Sequence, residues 1–288
     1  MDSRTPTAVF NTLAAVGFIL LLVTIAPPAL SKNIHRSKTW FSMILSWMVY
    51  SASYLLIIGH QMGPEPPRGV CGLQMLLVYA TPPLTAISGL AFIADVHLRI
   101  NKALFTSQVD HKFTPLLLLI PWGLFVAVTA EALIVVRDFS EIQRDPNNMY
   151  CHSVGNIQTQ VSAIICVIGL GLALCMEIWT SVILYRNWVL FRQLKTKMRD
   201  LRLSSLIRIL VFTLMTSTGL GLGAIVAPAN VTDGLALWSA LLPILPVLCA
   251  ISFGTQMDIV HWWMFWRLWG TKLHPSCSSQ STRRSEEV

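Results

Sequence analysis

The chain has 288 residues, of which 54% are hydrophobic and only 12% charged, with a mean hydropathy of +0.60. These values exclude an ordinary soluble globular domain, which carries about 25% charged residues. The net charge of +7 is concentrated between apolar stretches, so it reads as membrane topology and contact with anionic lipid, not as nucleic-acid binding.

Seven apolar stretches follow one another, near residues 8–30, 39–59, 71–97, 114–136, 158–185, 205–227 and 234–254. Each has about 20 residues or more, enough to cross a hydrocarbon core about 30 Å thick as a helix. Together with short loops they use up the chain and leave no room for a second folded domain. The expected fold is an all-α membrane protein, a seven-transmembrane helix bundle over residues 1–256. The first stretch follows Asp2 and Arg4, ends at Pro27-Pro28 and lacks a small-residue cleavage site, so it is expected to stay as the first span.

The second stretch opens with Trp40 and contains Trp47, Tyr50 and Tyr54. Gly63-Pro64-Glu65-Pro66-Pro67 then makes a stiff connector. In the third, Thr81-Pro82-Pro83 removes helix donors and predicts a kink that opens space in one half of the bundle. Tyr79, Pro82, Pro83 and Glu131 of the fourth stretch are the candidate pocket residues. For Glu131, a carboxylate simply reaching the interface is the plainer reading. The sixth stretch has glycines at 219, 221 and 223, which allow close helix approach or a hinge. Pro243 and Pro246 predict a second kink in the seventh.

Residues 257–270 are too short and too interrupted by Asp258, His261 and Arg267 to span. Trp262, Trp263, Trp266 and Trp269 suit the headgroup region, so an amphipathic interfacial helix is expected. The Ser-rich segment 271–288 is expected to be a disordered cytoplasmic tail.

The basic residues give the orientation. Arg4, Arg68, Arg137 and Arg144 fall on one side of the seven stretches, and the other seventeen of the 21 Lys and Arg on the opposite side. The positive-inside rule then places the N-terminus outside and the C-terminus in the cytoplasm. Asn230-Val231-Thr232 is a glycosylation sequon in the last outer loop, although that loop is short. Cys71 and Cys151 would both face an oxidising compartment. A bridge between them would pin the 137–157 loop over the third helix; two unrelated thiols are the alternative. Cys277 in the tail is a palmitoylation candidate or a plain thiol.

Ionisable groups inside a membrane are costly and so are functional candidates. Asp95 and Arg99 are four residues apart and share a helix face. They are expected to pair at the inner mouth, against the sixth helix where Arg208 begins it, or else to be an ordinary interfacial pair. Glu177 has no basic residue within one turn, so its partner must come from another helix, with Arg208, His97 and Arg99 nearest in depth. Asp95, Arg99, Glu177, Arg208, Pro243 and Pro246 are therefore the switch candidates.

The seven helices, the outside N-terminus, the Cys71–Cys151 pairing, the basic third inner loop and the helix after the seventh span resemble a G-protein-coupled receptor. The stretches Ser37-Lys38-Thr39-Trp40-Phe41-Ser42, Tyr79-Ala80-Thr81-Pro82-Pro83-Leu84-Thr85 and Phe253-Gly254-Thr255-Gln256 are similar to those of orphan seven-helix receptor-like proteins of mushroom-forming fungi. The resemblance implies an extracellular ligand, a plasma-membrane location and a heterotrimeric G protein as partner. That partner would meet the surface of Arg192, Lys195, Lys197, Arg199 and Arg202, whose charge positive-inside topology alone also explains. The chain departs from the rhodopsin-like pattern. It has Asp95-Val96-His97-Leu98-Arg99 in place of an Asp-Arg-Tyr triplet, no proline in 205–227 and no Asn-Pro-x-x-Tyr in the seventh stretch.

Other classes fit less well. Residues 234–256 hold no lysine for a retinal Schiff base, and the histidines are too scattered for an intramembrane metallohydrolase. A small multi-pass transporter without G-protein coupling is the alternative, but no three-helix internal repeat stands out. No enzyme activity, cofactor or metal is expected.

Overall fold

The computed structural model describes residues 4–32, 34–61, 64–105, 113–136, 142–144, 149–153, 155, 157–187, 210–211, 213–214 and 242–271. The described chain is mostly helical. In order it forms α1 (Arg4–Leu30), α2 (Lys38–Leu55), α3 (Arg68–Phe105), α4 (Phe113–Val135), strands β1 (Ile142–Arg144) and β2 (Cys151–Ser153), α5 (Ile157–Arg186), α6 (Ile244–Gly254) and α7 (Met257–Thr271).

Among the described residues, α1, α3, α4 and α5 are long and apolar enough to cross a membrane, and α6 with α7 makes a fifth candidate if that bent pair is one span. This is a multi-pass membrane protein by length and composition. The sixth predicted stretch is described only at residues 210, 211, 213 and 214, all helical, and the seventh only from Leu242 onward.

The helix α2 is not among the apolar candidates, and its surroundings explain why. It is an interior helix, packed on α1, α3, α4 and α6. Its polar side chains turn back onto backbone carbonyls, Ser46 to Met43 O and Ser53 to Tyr50 O at 2.7 Å each, while Ser51 donates across to Ala14 O of α1 at 2.7 Å. A buried hydroxyl bonded in this way avoids the desolvation cost of an orphan. Ser37 caps the start, accepting from Trp40 N at 3.2 Å. The helix ends at Leu55, earlier than the apolar stretch suggests, and the chain turns through Gly59 at φ 88°, a conformation that glycine adopts without a Cβ clash.

The central element is α3, packed against α2, α4 and α5. Of its most apolar window 67% is buried, against 17% for α4. Side chains such as Leu119 and Ile134 of α4 and Val167 of α5 point outward, as a lipid-facing surface requires. The core is aromatic, with Phe10, Trp40, Trp47, Tyr50, Tyr54, Phe92 and Phe253 in one cluster. Glycines allow close approach between helices. A Cβ on Gly17 of α1 would lie 2.9 Å from Pro246 Cβ, and one on Gly169 of α5 would lie 2.8 Å from Ile87 Cδ1 of α3.

One detail differs from the sequence expectation. The purely helical fold gains a small antiparallel hairpin, with Ile142 opposite Ser153 and Arg144 opposite Cys151. Three-residue strands carry too little alternation to be read locally. The Pro82-Pro83 pair lies inside α3, which continues past it to 38 residues in all. At the far end, Pro243 is the N-cap of α6 and Pro246 lies in its first turn, where a missing N–H costs little. The chain then turns 82° between α6 and α7.

Candidate functional site

Two polar assemblies lie at opposite ends of α3. The first is the hairpin end. Cys71, in the first turn of α3, is disulfide-bonded to Cys151 of β2, with the Cα atoms 5.4 Å apart. One turn further on, Gln74 uses both ends of its amide. Its Nε2 donates to Ser53 O of α2 at 3.1 Å, and its Oε1 accepts from Cys151 N at 3.0 Å. Tyr79 follows, its hydroxyl accepting from Ser153 N at 3.3 Å.

The hairpin is held from the other side as well. Arg144 Nη1 donates to His60 O and Gln61 O at 3.1 and 3.0 Å. Gln61 Nε2 donates to Met149 O at 3.2 Å, and Gln61 pairs reciprocally with Asn11. Met149 and Cys151 are fully buried, and Tyr150 sets its ring edge-on to Tyr54 at 6.3 Å. The described hairpin residues are thus sunk into the bundle, with Tyr150 on Tyr54 and Met149 in the same buried cluster as Phe10 and Tyr50.

The expected pocket residues divide. Tyr79 lies beneath the hairpin. Pro83 has no N–H to donate to Tyr79 O, and Ser162 of α5 takes that place with a hydroxyl bond of 2.6 Å. The proline thus fastens α3 to α5 there. Both carboxylate oxygens of Glu131 are buried without a partner among the described residues, and no described hydrogen bond links Glu131 to Tyr79.

The second assembly is at the Asp95 end. Asp95 is buried, and its Oδ2 accepts from Thr39 Oγ1 of α2 at 2.7 Å and from Arg99 Nε at 3.1 Å. Thr39 also contacts Ser37 Oγ at 2.8 Å, so the α2 cap and the α3 carboxylate form one knot. Arg99 is half exposed, at 52%, and among the described residues its guanidinium is held through Nε alone. Beside the knot, Arg36 reaches Asp258 of α7 at 3.5 Å and sits 6.0 Å from the Trp40 ring. Trp263 of α7 donates to Val23 O of α1 at 3.3 Å.

The same stretch of α3 is joined to α5. Thr180 donates its single hydroxyl proton to Met176 O at 2.7 Å, so His97 Nδ1 must be the donor in its 2.7 Å contact with Thr180 Oγ1. His97 Nε2 is then the acceptor for Asn101 Nδ2 at 2.8 Å. This assigns a neutral ring protonated on Nδ1. Glu177, one turn before Thr180, is 6% exposed and accepts from Thr213 Oγ1 at 2.7 Å. Its donor is therefore a hydroxyl of the sixth stretch. Of the three bases expected for it, His97 and Arg99 are bonded elsewhere, and Arg208 lies outside the described residues.

Arg192, Lys195, Lys197, Arg199, Arg202, Asn230, Cys277 and the glycines of 219–223 also lie outside the described residues. Thr39, Thr180, Thr213 and Asn101 were not singled out from the sequence. Threonines and asparagines near helix ends are common, and only the fold brings these beside Asp95, His97 and Glu177. Among the described residues no three His, Cys, Asp or Glu side chains group as a metal site. Neither a protein-family model nor a curated protein matches the chain.

Proposed function

We propose that this chain is a seven-helix receptor of the plasma membrane that senses an extracellular ligand and signals to a heterotrimeric G protein. In this reading the N-terminus and the hairpin are outside, and the Asp95 end and α7 are cytoplasmic. The helix α7 lies in the headgroup region. The disulfide supports that orientation, since such bonds persist in oxidising compartments.

The observation that carries the reading is the continuity of α3. One uninterrupted helix of 38 residues, about 57 Å long, is bonded covalently to the hairpin at one end and holds Asp95, His97 and Arg99 at the other. A ligand that lifted or reseated the hairpin would act on Cys71, Gln74 and Tyr79 directly. Any tilt or rotation of α3 would strain the Thr39–Asp95–Arg99 knot and the His97–Thr180 bond. A ligand shifts such an equilibrium by its differential affinity for the two arrangements. The half-exposed Arg99 and the basic segment Arg192–Arg202 would then meet the G protein.

The test is binding of nucleotide-free heterotrimeric G protein to the purified chain in lipid discs. Wild type is compared with a variant neutralised at Arg192, Lys195, Lys197, Arg199 and Arg202. Asp95→Asn, which loosens the knot, is included so that a silent resting state does not hide coupling. Binding that Asp95→Asn strengthens and the neutralised variant loses supports the reading. Folded protein that binds no Gα class in any of the three forms contradicts it and favours a transporter.

A further inference from the structure

We infer that Glu177 is the anchor of a small monovalent-cation site between α3, α5 and the sixth stretch. The site is a cavity with room for about two water-sized occupants. Glu177, Thr180, Ser181 and Leu184 line it from one face of α5, while Ile93 and Val96 of α3 and Leu210 supply apolar walls. One oxygen of Glu177 is bonded to Thr213; the other, Oε2, is buried and has no hydrogen-bond partner among the described residues.

A carboxylate oxygen left bare beside apolar walls is costly, and either a proton or a cation must relieve it. The neighbouring groups offer acceptor oxygens, which a cation or a proton on Glu177 would each satisfy, and the response to sodium separates the two. Thr180 has spent its proton on Met176 O and receives His97 Nδ1–H, so its remaining lone pair can only accept. Ser181 stands at the exposed rim with a hydroxyl oxygen that can also serve as a ligand. The cavity thus offers one charged and two neutral oxygens, with water completing the shell. Oxygen ligands suit a hard cation, and a single carboxylate matches one positive charge better than two.

No other described charge competes for the position. On α3, Asp95 and Arg99 are paired, and His97 is neutral and bonded to Thr180. The described residues of the sixth stretch are Leu210, Val211, Thr213 and Leu214, none of which titrates. On α5, Arg186 lies at the helix end, more than two turns from Glu177. A cation bound here would join α5 to the sixth stretch through Glu177 and Thr213.

The test needs neither ligand nor G protein, so it can fail without touching the receptor reading. Melting temperatures of the whole chain in lipid discs are compared in sodium chloride and choline chloride at equal ionic strength, at mildly acidic, neutral and mildly alkaline pH. Sodium should raise the wild-type transition by about 3 °C once it stands about tenfold above its dissociation constant. The gain should shrink at acidic pH, where protons compete. Glu177→Gln should lose it, and Ser181→Ala should need more sodium for the same gain. A transition that follows pH but ignores the cation would make Glu177 a protonated structural residue and overturn the site. A sodium effect undiminished in both variants would overturn it as well.

Discussion

The two ends of α3 are held in different ways. At the hairpin end a covalent bond, the two-ended amide of Gln74 and the buried Met149 fix one arrangement. At the Asp95 end, hydrogen bonds and a half-exposed arginine hold a geometry in which, among the described residues, polar capacity is left over on Arg99 and on Glu177 Oε2. A covalent tether resists rearrangement, whereas a knot of neutral and charged hydrogen bonds can exchange partners at modest cost. The first end couples the hairpin to α3 as one piece, and the second can exchange partners when that piece moves.

Breaking the tether should have the largest effect. Cys71→Ser opens a bridge spanning 80 residues in sequence and should cost about 4 kcal/mol in chain-entropy models. A fall in melting temperature well beyond that of any single hydrogen-bond variant would show it. Next, Asp95→Ala leaves Thr39 and Arg99 without their shared acceptor and should cost about 2–3 kcal/mol. Arg99→Ala should cost far less, because its side chain is half in solvent. Equal losses from the two would contradict a knot centred on Asp95.

A smaller effect tests the proline fastening. Ser162→Ala should cost about 1–2 kcal/mol by orphaning Tyr79 O. In a Pro83→Ala background, which restores the backbone donor, the same change should cost much less, and a double-mutant cycle measures the difference. Smallest, Ser37→Ala should remove about 1 kcal/mol through the α2 cap, read as a small shift in the same thermal transition.

The apolar stretches of the sequence foretell α1, α3, α4 and α5 because lipid demands long, uninterrupted apolar helices, a signal local in sequence. The Cys71–Cys151 bridge was legible because topology put both thiols on one side. The pairing of Asp95 with Arg99 follows from spacing of four on a helix. Its second partner, Thr39, lies 56 residues away, and nothing in the local sequence marks that threonine. The hairpin was illegible for a related reason. Its strands exist because Gln74, Tyr79 and Cys71 hold Cys151 and Ser153 in place, a tertiary cause and not a propensity. The donor that takes the place of the N–H lost at Pro83 is the hydroxyl of Ser162 on α5, which needs a second helix to be seen.

The central claim is that α3 carries a change at the hairpin to the Asp95 end. Hydrogen–deuterium exchange of the protein in lipid discs, before and after reduction of Cys71–Cys151 with a phosphine, tests it most directly. The account predicts faster exchange in residues 142–153 and also in 98–105, at the far end of α3. Acceleration confined to the hairpin, with 98–105 unchanged, would contradict it.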